Sequence, residues 1–202
     1  MYQYVARTVS RVDSIHTIVL VGPPEDIKEM EAGLQSLHLP MHYKVVAGGA
    51  TRQESAENGL NAIAHEQDIT IGIVHDVARA LVEEAIIRSV IDAIRKHGSA
   101  AACVPVVDTI KRAHGNEIVE TIPRENLWRA QTPQGARIPI LRRAYEAARN
   151  AQFSGTDEAQ LLERIGVYPR IVTGSEMNFK ITYPSDLERA RAIIQNRGFS
   201  LE

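Results

Sequence analysis

Short apolar runs rich in β-branched residues alternate along this chain with stretches of helical period, and this alternation constrains the fold more than any other feature. The runs Thr17 to Val21, Tyr43 to Val46, Ile69 to Val74 and Ala100 to Val107 are typical of buried strands. The clearest helical pattern, from Glu83 to His97, follows the third run. Strands and helices in alternation form βαβ units, so we predict an α/β fold with a mainly parallel sheet covered by helices on both faces.

The later part of the chain continues this pattern. We predict helices at about 137–151, 157–165 and 185–195, with short strands at 170–172 and 179–182. The length of 202 residues is that of one domain, so we treat residues 1–202 as a single domain.

One stretch of the chain departs from the alternation of strands and helices. Thr109 to Arg112 and Glu117 to Ile122 flank the turn-forming residues Ala113 to Asn116, which predicts a protruding antiparallel β-arm over residues 105–124. Isolated two-stranded hairpins are marginal in water, and their unpaired edges favour pairing with another chain. The arm therefore favours a homodimer.

Composition narrows the range of partners. The net charge of −2 provides no overall positive field for nucleic acid or an anionic membrane. No apolar run approaches the roughly 20 residues that cross a bilayer. The single cysteine, Cys103, excludes an intramolecular disulfide and suits a reducing compartment. We expect a cytoplasmic protein that binds neither nucleic acid nor a membrane.

Candidate binding residues follow the ends of the strands, where open α/β sheets hold their ligands. Gly48 to Arg52 combine a glycine turn, a helix start and a cation, which suits a phosphate or a nucleotide; a simple tight turn is the alternative. The spacing from Thr51 to Glu54 predicts a capping box. After the third strand, Asp76 suits Mg²⁺ and Arg79 suits phosphate oxygens, or the two form an ordinary ion pair.

Polar residues later in the chain extend this set. Thr156 predicts a helix cap, and Lys180 falls on the predicted strand 179–182. A buried lysine needs a counter-charge, which either an anionic ligand or a carboxylate side chain would provide. No Walker A, Gly-x-Ser-x-Gly, His-Glu-x-x-His or dinucleotide-binding glycine motif occurs. The residues alone indicate an α/β domain that binds a nucleotide or a sugar phosphate.

Six segments, taken in order, resemble one family throughout. They are GGATRQES (48–55), VHDVARALV (74–82), PVVDTIKR (105–112), ETIPRENLWRAQTPQ (120–134), GTDEA (155–159) and NFKITYPSDL (178–187). The family is 2-C-methyl-D-erythritol 4-phosphate cytidylyltransferase. The resemblance implies a nucleotide-diphospho-sugar transferase-like (Rossmann-like) fold and a homodimer joined through the β-arm. It also implies that CTP and 2-C-methyl-D-erythritol 4-phosphate react, with Mg²⁺, to give the cytidine diphosphate derivative and pyrophosphate on the non-mevalonate route to isoprenoids.

The same resemblance implies roles for single residues. Asp76 would hold Mg²⁺, Lys180 would reach the phosphates and Arg79 would support that catalytic site. The residues implied to contact the cytidine are Gly49, Ala50 and Ser55. Those implied to cradle the methylerythritol phosphate are Thr109, Arg124, Thr132 and Thr156. The first two of these four would reach a neighbouring subunit's site from the arm.

The chain departs from the family pattern in two places. Ala80 stands where the family usually has a proline. The family pattern also begins with a strand and a glycine-rich loop that wraps the triphosphate, and Met1 to Val12 matches the helix after that loop, so the resemblance implies a domain without its first βα segment. Two alternatives remain open: a ribitol 5-phosphate cytidylyltransferase, and a catalytically impaired dimeric protein that binds a nucleotide or a sugar phosphate.

Overall fold

The computed structural model describes residues 1–63, 66 and 68–196, and these form seven α-helices and eight strands. The helices are α1 (Tyr2–Val9), α2 (Ile27–Gln35), α3 (Arg52–Ala62), α4 (Glu84–His97), α5 (Ile138–Asn150), α6 (Glu158–Arg164) and α7 (Pro184–Asn196). The strands are β1 (Thr17–Gly22), β2 (His42–Ala47), β3 (Ile71–Val74), β4 (Ser99–Pro105), β5 (Ile110–His114), β6 (Glu117–Ile122), β7 (Trp128–Arg137) and β8 (Arg170–Thr173).

The strands of the main body form two separate ladders. Strands β1 and β2 pair in parallel, with Thr17 opposite His42 and Gly22 opposite Ala47. The second ladder has the order β3-β7-β4-β8, in which β7 runs antiparallel to both neighbours and β8 runs parallel to β4. The prediction of an α/β fold is correct, but the larger sheet is mixed rather than mainly parallel.

Strand β7 is the element that the sequence pattern missed. Its sequence, WRAQTPQGAR, contains a proline and a glycine and has no apolar alternation, so it carries no strand signal. Its polar side chains Gln131, Thr132 and Gln134 are nevertheless buried in the sheet. Each forms hydrogen bonds there, which is the condition for burying polar groups in a core.

Two local predictions are wrong. Residues 179–182 form no strand; instead, the Ile181 N–H donates to the Ala78 carbonyl oxygen at 2.8 Å, which joins this loop to the loop after β3. Helix α6 is capped by Asp157, whose carboxylate accepts from the Gln160 N–H, and not by Thr156. A carboxylate caps a helix as well as a hydroxyl does, so the neighbouring residue takes that position.

Helices cover the strands on both faces, as the alternation predicts. On one face, Leu34 of α2 packs with Leu20 of β1, and α4 buries Val90 and Ile94 against β4. On the other face, α5 and α6 pack around Tyr145. Within the residues described, no helix is long and apolar enough to cross a membrane.

A groove of about 470 Å³ lies between the two ladders. Its lining includes Val19 and Val21 of β1 and Ile71 and Ile73 of β3. In the described parts of the chain, β1 pairs only with β2 and β3 only with β7, so the facing edges of β1 and β3 are unpaired. The groove extends to Asp76, just beyond the carboxyl end of β3.

The predicted β-arm is present as the separate pair β5–β6. Its side chains are largely exposed, including Ile118 at 68% and Val119 at 57% of their full accessible area. Large apolar side chains on a protruding arm are a feature of surfaces that contact another molecule.

We predict that the pairing of β3 with β7 depends on Gly135. A Cβ added there would lie 2.1 Å from the Gly72 carbonyl oxygen, so Gly135→Ala must push the two strands apart. We expect the free energy of unfolding to fall by about 3 kcal/mol or more in urea titrations.

Gly115→Ala is the matched control for this substitution. Gly115 has a φ of +56° and no atom within 4 Å of an added Cβ, so it carries only the conformational penalty of about 1 to 2 kcal/mol. Equal losses in the two variants would contradict the assigned contact between β3 and β7.

Candidate functional site

The loop that follows β2 is folded by its own side chains. The Thr51 hydroxyl accepts from the Glu54 N–H at 3.1 Å, which confirms Thr51 as the cap of α3, although the return bond of the predicted capping box is made to Ala50 and not to Thr51. Glu54 in turn accepts from the Ala50 N–H at 2.7 Å, and the Ser55 hydroxyl accepts from the Gly49 N–H at 3.1 Å. A Cβ on Gly49 would lie 2.3 Å from the Cβ of Glu54, so only glycine fits this turn.

This loop delivers Arg52, the first residue of α3, to the end of β3. Its Nε and Nη2 donate to Asp76 Oδ1 at 3.1 and 3.0 Å. Its Nη1 and Nη2 also donate to the two carboxylate oxygens of Glu158, each at 3.0 Å. One guanidinium therefore joins the glycine turn, the loop after β3 and the start of α6.

Lys180 occupies the other side of Asp76. Its Nζ lies 3.1 Å from Asp76 Oδ2, and its side chain is 49% exposed. The sequence left open whether an anionic ligand or a carboxylate balances this lysine; in the structure a carboxylate does. Lys180 reaches Asp76 from a loop, because the predicted strand 179–182 is absent.

The two cations set the charge of Asp76. Burial disfavours the carboxylate, but Arg52 and Lys180 outweigh burial and keep the pKa of Asp76 below its ordinary value. Burial also disfavours the charged form of Arg52, and there the bonds and charges of Glu158 and Asp76 outweigh it and raise the pKa of the guanidinium. Asp76 and Arg52 are therefore both charged at neutral pH.

A chain of neutral hydrogen bonds fixes the backbone beneath Asp76. His75 Nε2 lies 3.2 Å from the Arg79 carbonyl oxygen, which can only accept, so Nε2 carries the proton. Burial lowers the pKa of His75 to about 4, so the ring is neutral and Nδ1 accepts from the Thr132 hydroxyl at 3.1 Å. That hydroxyl accepts from the Asp76 N–H at 2.9 Å. Thr132 is thus buried below the loop, and its hydroxyl both donates and accepts a hydrogen bond there.

Arg79 supports the loop and does not form an ion pair with Asp76. Its guanidinium donates to the carbonyl oxygens of Asn178 at 2.8 Å and Ala130 at 3.3 Å. Asn178, which is fully buried, donates to the Thr132 carbonyl oxygen at 2.8 Å. These bonds join the loop after β3, strand β7 and the segment that carries Lys180.

The remaining predicted residues lie at the surface. Thr109 and Arg124 are exposed at the base of the arm, where Arg124 donates to the Val107 carbonyl oxygen. No hydrogen bond in the described residues joins either one to Asp76. Thr156 is exposed two residues before Glu158, and its N–H donates to the Gln160 side chain.

Two residues of the site were not assigned a role by the sequence. Glu158 at the start of α6 is 1% exposed, although a charged residue in a first helical turn normally faces solvent. Tyr145 of α5 donates its hydroxyl proton to Glu158 Oε1 at 2.9 Å. Burial and the adjacent carboxylate raise the pKa of Tyr145, so its hydroxyl stays protonated. Only the packing of α5 against α6 reveals this pair, because local sequence carries no signal for it.

The site fits a magnesium ion that arrives with a polyphosphate better than a resident metal. Within the described residues, no group of three or more His, Cys, Asp or Glu side chains could hold a metal ion. Asp76 presents a carboxylate at the sheet edge, with its side chain 18% exposed. Mg²⁺ is commonly bound through one or two carboxylates together with substrate phosphates.

Comparisons with known proteins agree on one family. The family model for 2-C-methyl-D-erythritol 4-phosphate cytidylyltransferase matches residues 3–196. An enzyme of that name from Acidobacterium capsulatum is 40% identical over 195 residues, which are 95% of this chain and 81% of the relative. One from Halalkalibacterium halodurans is 39% identical over 180 residues, which are 89% of this chain and 78% of the relative.

Solved structures give the same result. The 4-diphosphocytidyl-2C-methyl-D-erythritol synthase from Anaerococcus prevotii matches with a TM-score of 0.86 and 28% identity, over 96% of this chain and 85% of the other. The 2-C-methyl-D-erythritol 4-phosphate cytidylyltransferase from Thermus thermophilus matches with a TM-score of 0.78 and 29% identity, over 95% and 87% of the two chains. These matches confirm the type of α/β fold that the resemblance implied.

We predict that Asp76 contributes to acid sensitivity. Because its pKa is lower in the folded protein, its stabilising effect is complete above its ordinary value of 3.8 and is lost as the pH falls below that value. Asp76→Asn should therefore flatten the fall in the free energy of unfolding between about pH 5 and pH 3. Asp92→Asn, which changes a 70% exposed carboxylate, is the control and should keep the parent's slope. A parental slope in Asp76→Asn would contradict the assignment.

Proposed function

The chain belongs to the 2-C-methyl-D-erythritol 4-phosphate cytidylyltransferase family, and from that premise we propose that it transfers the cytidylyl group of CTP to 2-C-methyl-D-erythritol 4-phosphate in isoprenoid biosynthesis. The observation that carries the proposal is Asp76, held between Arg52 and Lys180 at the carboxyl edge of β3. This is where open α/β sheets bind ligands, and a carboxylate with two cations suits a metal-bound polyphosphate.

The proposed reaction is a displacement at the α-phosphorus of CTP. A phosphate oxygen of the acceptor forms a bond to that phosphorus, and the bond between it and the bridging oxygen to the β-phosphate breaks, with both electrons leaving on pyrophosphate. The attacking group is already ionised, so the protein contributes mainly positioning and neutralisation of charge. Asp76 would hold a Mg²⁺ ion that arrives with the nucleotide, and that ion would neutralise charge on the phosphate oxygens.

Lys180 supplies the second positive charge in this proposal. Its side chain is half exposed and its ammonium group is paired with Asp76 through a single contact at 3.1 Å, so it can turn toward a phosphate that carries more negative charge. Arg79 holds the Lys180 segment through the Asn178 carbonyl oxygen and supports the site from below.

We propose that the glycine turn receives the nucleotide. Gly49, Ala50 and Ser55 lie in the loop that carries Arg52 to Asp76, which brings this loop to the edge of the proposed phosphate site. Gly49 and Ala50 are both exposed, so a ring can approach the backbone of this turn from the solvent side.

The acceptor cradle falls into two groups. Thr109, Arg124 and Thr156 are exposed and therefore accessible to a sugar phosphate, and the first two lie at the base of the arm. The exposed apolar side chains of that arm support a homodimer in which it reaches a second subunit. Thr132 is buried, and its hydroxyl is bonded to the Asp76 N–H and to His75, which supports an indirect role through the Asp76 backbone.

We also propose a cytoplasmic location. Cys103 is a free thiol, and free thiols persist in reducing compartments.

We expect pyrophosphate release when this chain is mixed with CTP, Mg²⁺ and 2-C-methyl-D-erythritol 4-phosphate. Asp76→Ala and Lys180→Ala should each lower kcat by about 10²- to 10³-fold, because each removes a group that stabilises charge at the phosphates. Lys96→Ala, an exposed change at the end of α4, should keep the parent's rate.

Parallel assays separate the alternatives to this proposal. Turnover with ribitol 5-phosphate that exceeds turnover with the methylerythritol substrate would assign the other acceptor. Binding of CTP without pyrophosphate release would indicate a catalytically impaired binding protein. Parental activity in Asp76→Ala would overturn the proposed role of Asp76.

The dimer proposal has its own test. Ile118→Asp and Val119→Asp each place a charge on an exposed apolar position of β6. In a dimer joined by the arm, the dissociation constant measured by sedimentation equilibrium should therefore rise at least about tenfold. Glu117→Lys at the end of the same strand changes charge without removing apolar surface and is the control. A parent that sediments as a monomer would contradict the proposal.

A further inference from the structure

A fully buried carboxylate, that of Glu158, is linked to Asp76 through Arg52. Glu158 is 1% exposed, and its two oxygens accept three hydrogen bonds, two from Arg52 and one from the Tyr145 hydroxyl. Pairing and hydrogen bonding of this kind offset the cost of burying an ionic group. Glu158 itself lies behind Arg52, and in the described residues its hydrogen-bond partners are Arg52 and Tyr145.

The guanidinium of Arg52 is held by Glu158 and in turn holds the carboxylate of Asp76. It binds Glu158 through Nη1 and Nη2, and it binds Asp76 Oδ1 through Nε and Nη2. A planar guanidinium bound along two edges cannot rotate about its side chain without breaking a bidentate contact. Asp76 Oδ1 is therefore fixed, while Oδ2 faces the half-exposed Lys180.

We propose that Glu158 is a positioning residue for Asp76, acting through Arg52, with Tyr145 holding Glu158 in place. The proposal rests on the proposed function, in which Asp76 binds Mg²⁺. Asp76 and Glu158 balance the charges of Arg52 and Lys180. Without Glu158, Arg52 keeps Asp76 as its single carboxylate partner in the described residues and is free to follow it out of the productive orientation.

The variants that test this role change one contact at a time. Glu158→Gln keeps the shape and removes the charge, and Tyr145→Phe removes one hydrogen bond to Glu158 and leaves its pairing with Arg52. Glu57→Gln is the matched control, because Glu57 on α3 pairs with an arginine, Arg149, as Glu158 pairs with Arg52, and in the described residues it forms no hydrogen bond or ion pair with Arg52.

Two measurements are made on each variant. The first is solvent exchange of the Arg52 Nε–H by NMR in the protein without ligands, with the signal assigned by Arg52→Lys. The second is steady-state kinetics, with kcat, the KM for the acceptor and the Mg²⁺ concentration at half-maximal rate.

We expect the Arg52 Nε–H to be protected in the parent and in Glu57→Gln and to lose protection in Glu158→Gln. Removal of a residue that orients a metal ligand changes activity or metal affinity by about 10- to 100-fold. For Glu158→Gln we therefore expect kcat to fall by that factor and the Mg²⁺ concentration at half-maximal rate to rise, while the KM for the acceptor stays unchanged. Tyr145→Phe should move in the same direction by a smaller factor, and it decides the question if Glu158→Gln does not fold.

Three results would overturn the positioning role. One is a protected Arg52 Nε–H in Glu158→Gln. Another is a Glu158→Gln variant that is less stable than the parent but keeps the parent's kcat and Mg²⁺ dependence. The third is an equal effect of Glu57→Gln. A parent that releases no pyrophosphate would instead refute the proposed function, and the exchange measurement on the same samples would still decide whether Glu158 holds Arg52 on Asp76.

Discussion

The guanidinium of Arg52 is the interaction on which the rest of the candidate site depends. It binds Asp76 after β3 and Glu158 at the start of α6, which lie 24 and 106 residues away along the chain. Breaking a buried ion pair by removing one partner typically costs about 3 to 5 kcal/mol, because a charge is left buried without compensation. The groups proposed to bind phosphate and metal are therefore also groups that hold α3, the loop after β3 and α6 together.

Beneath this charged cluster lies a second network that carries no net charge. His75, Thr132 and the backbone of Asp76 form a chain in which each polar hydrogen has one acceptor, and Thr132 comes from the central strand β7. This explains why a strand as polar as β7 lies in the middle of a sheet. Its side chains bond to the loops that carry Asp76 and Asn178, so the sheet positions the site through hydrogen bonds as well as through packing.

The sequence predicted elements whose signal is local and missed those whose signal is tertiary. The apolar period of α4 and the cap at Thr51 are properties of a few neighbouring residues, and both are where the pattern places them. Strand β7 has no such period because its buried side chains are polar and bond to other loops. Residues 179–182 do not form the predicted strand, and the Ile181 N–H there bonds to the Ala78 carbonyl oxygen. Among site residues, Asp76 follows from its place after a strand. The role of Glu158 does not, because only the folded chain buries it against Arg52.

The two cations beside Asp76 have different ion-pair partners. Arg52 is therefore fixed in place, whereas Lys180 can move. Arg52 is bound to the buried Glu158, so a ligand that drew it away would leave a buried carboxylate unpaired. Lys180 has only Asp76 as an ion-pair partner in the described residues, and half of its side chain is already in water. A bound polyphosphate offers Lys180 more negative charge than one carboxylate does. Turning toward it would free Asp76 Oδ2 for a metal while Oδ1 stays on Arg52, so the metal site would be completed only when the nucleotide is present.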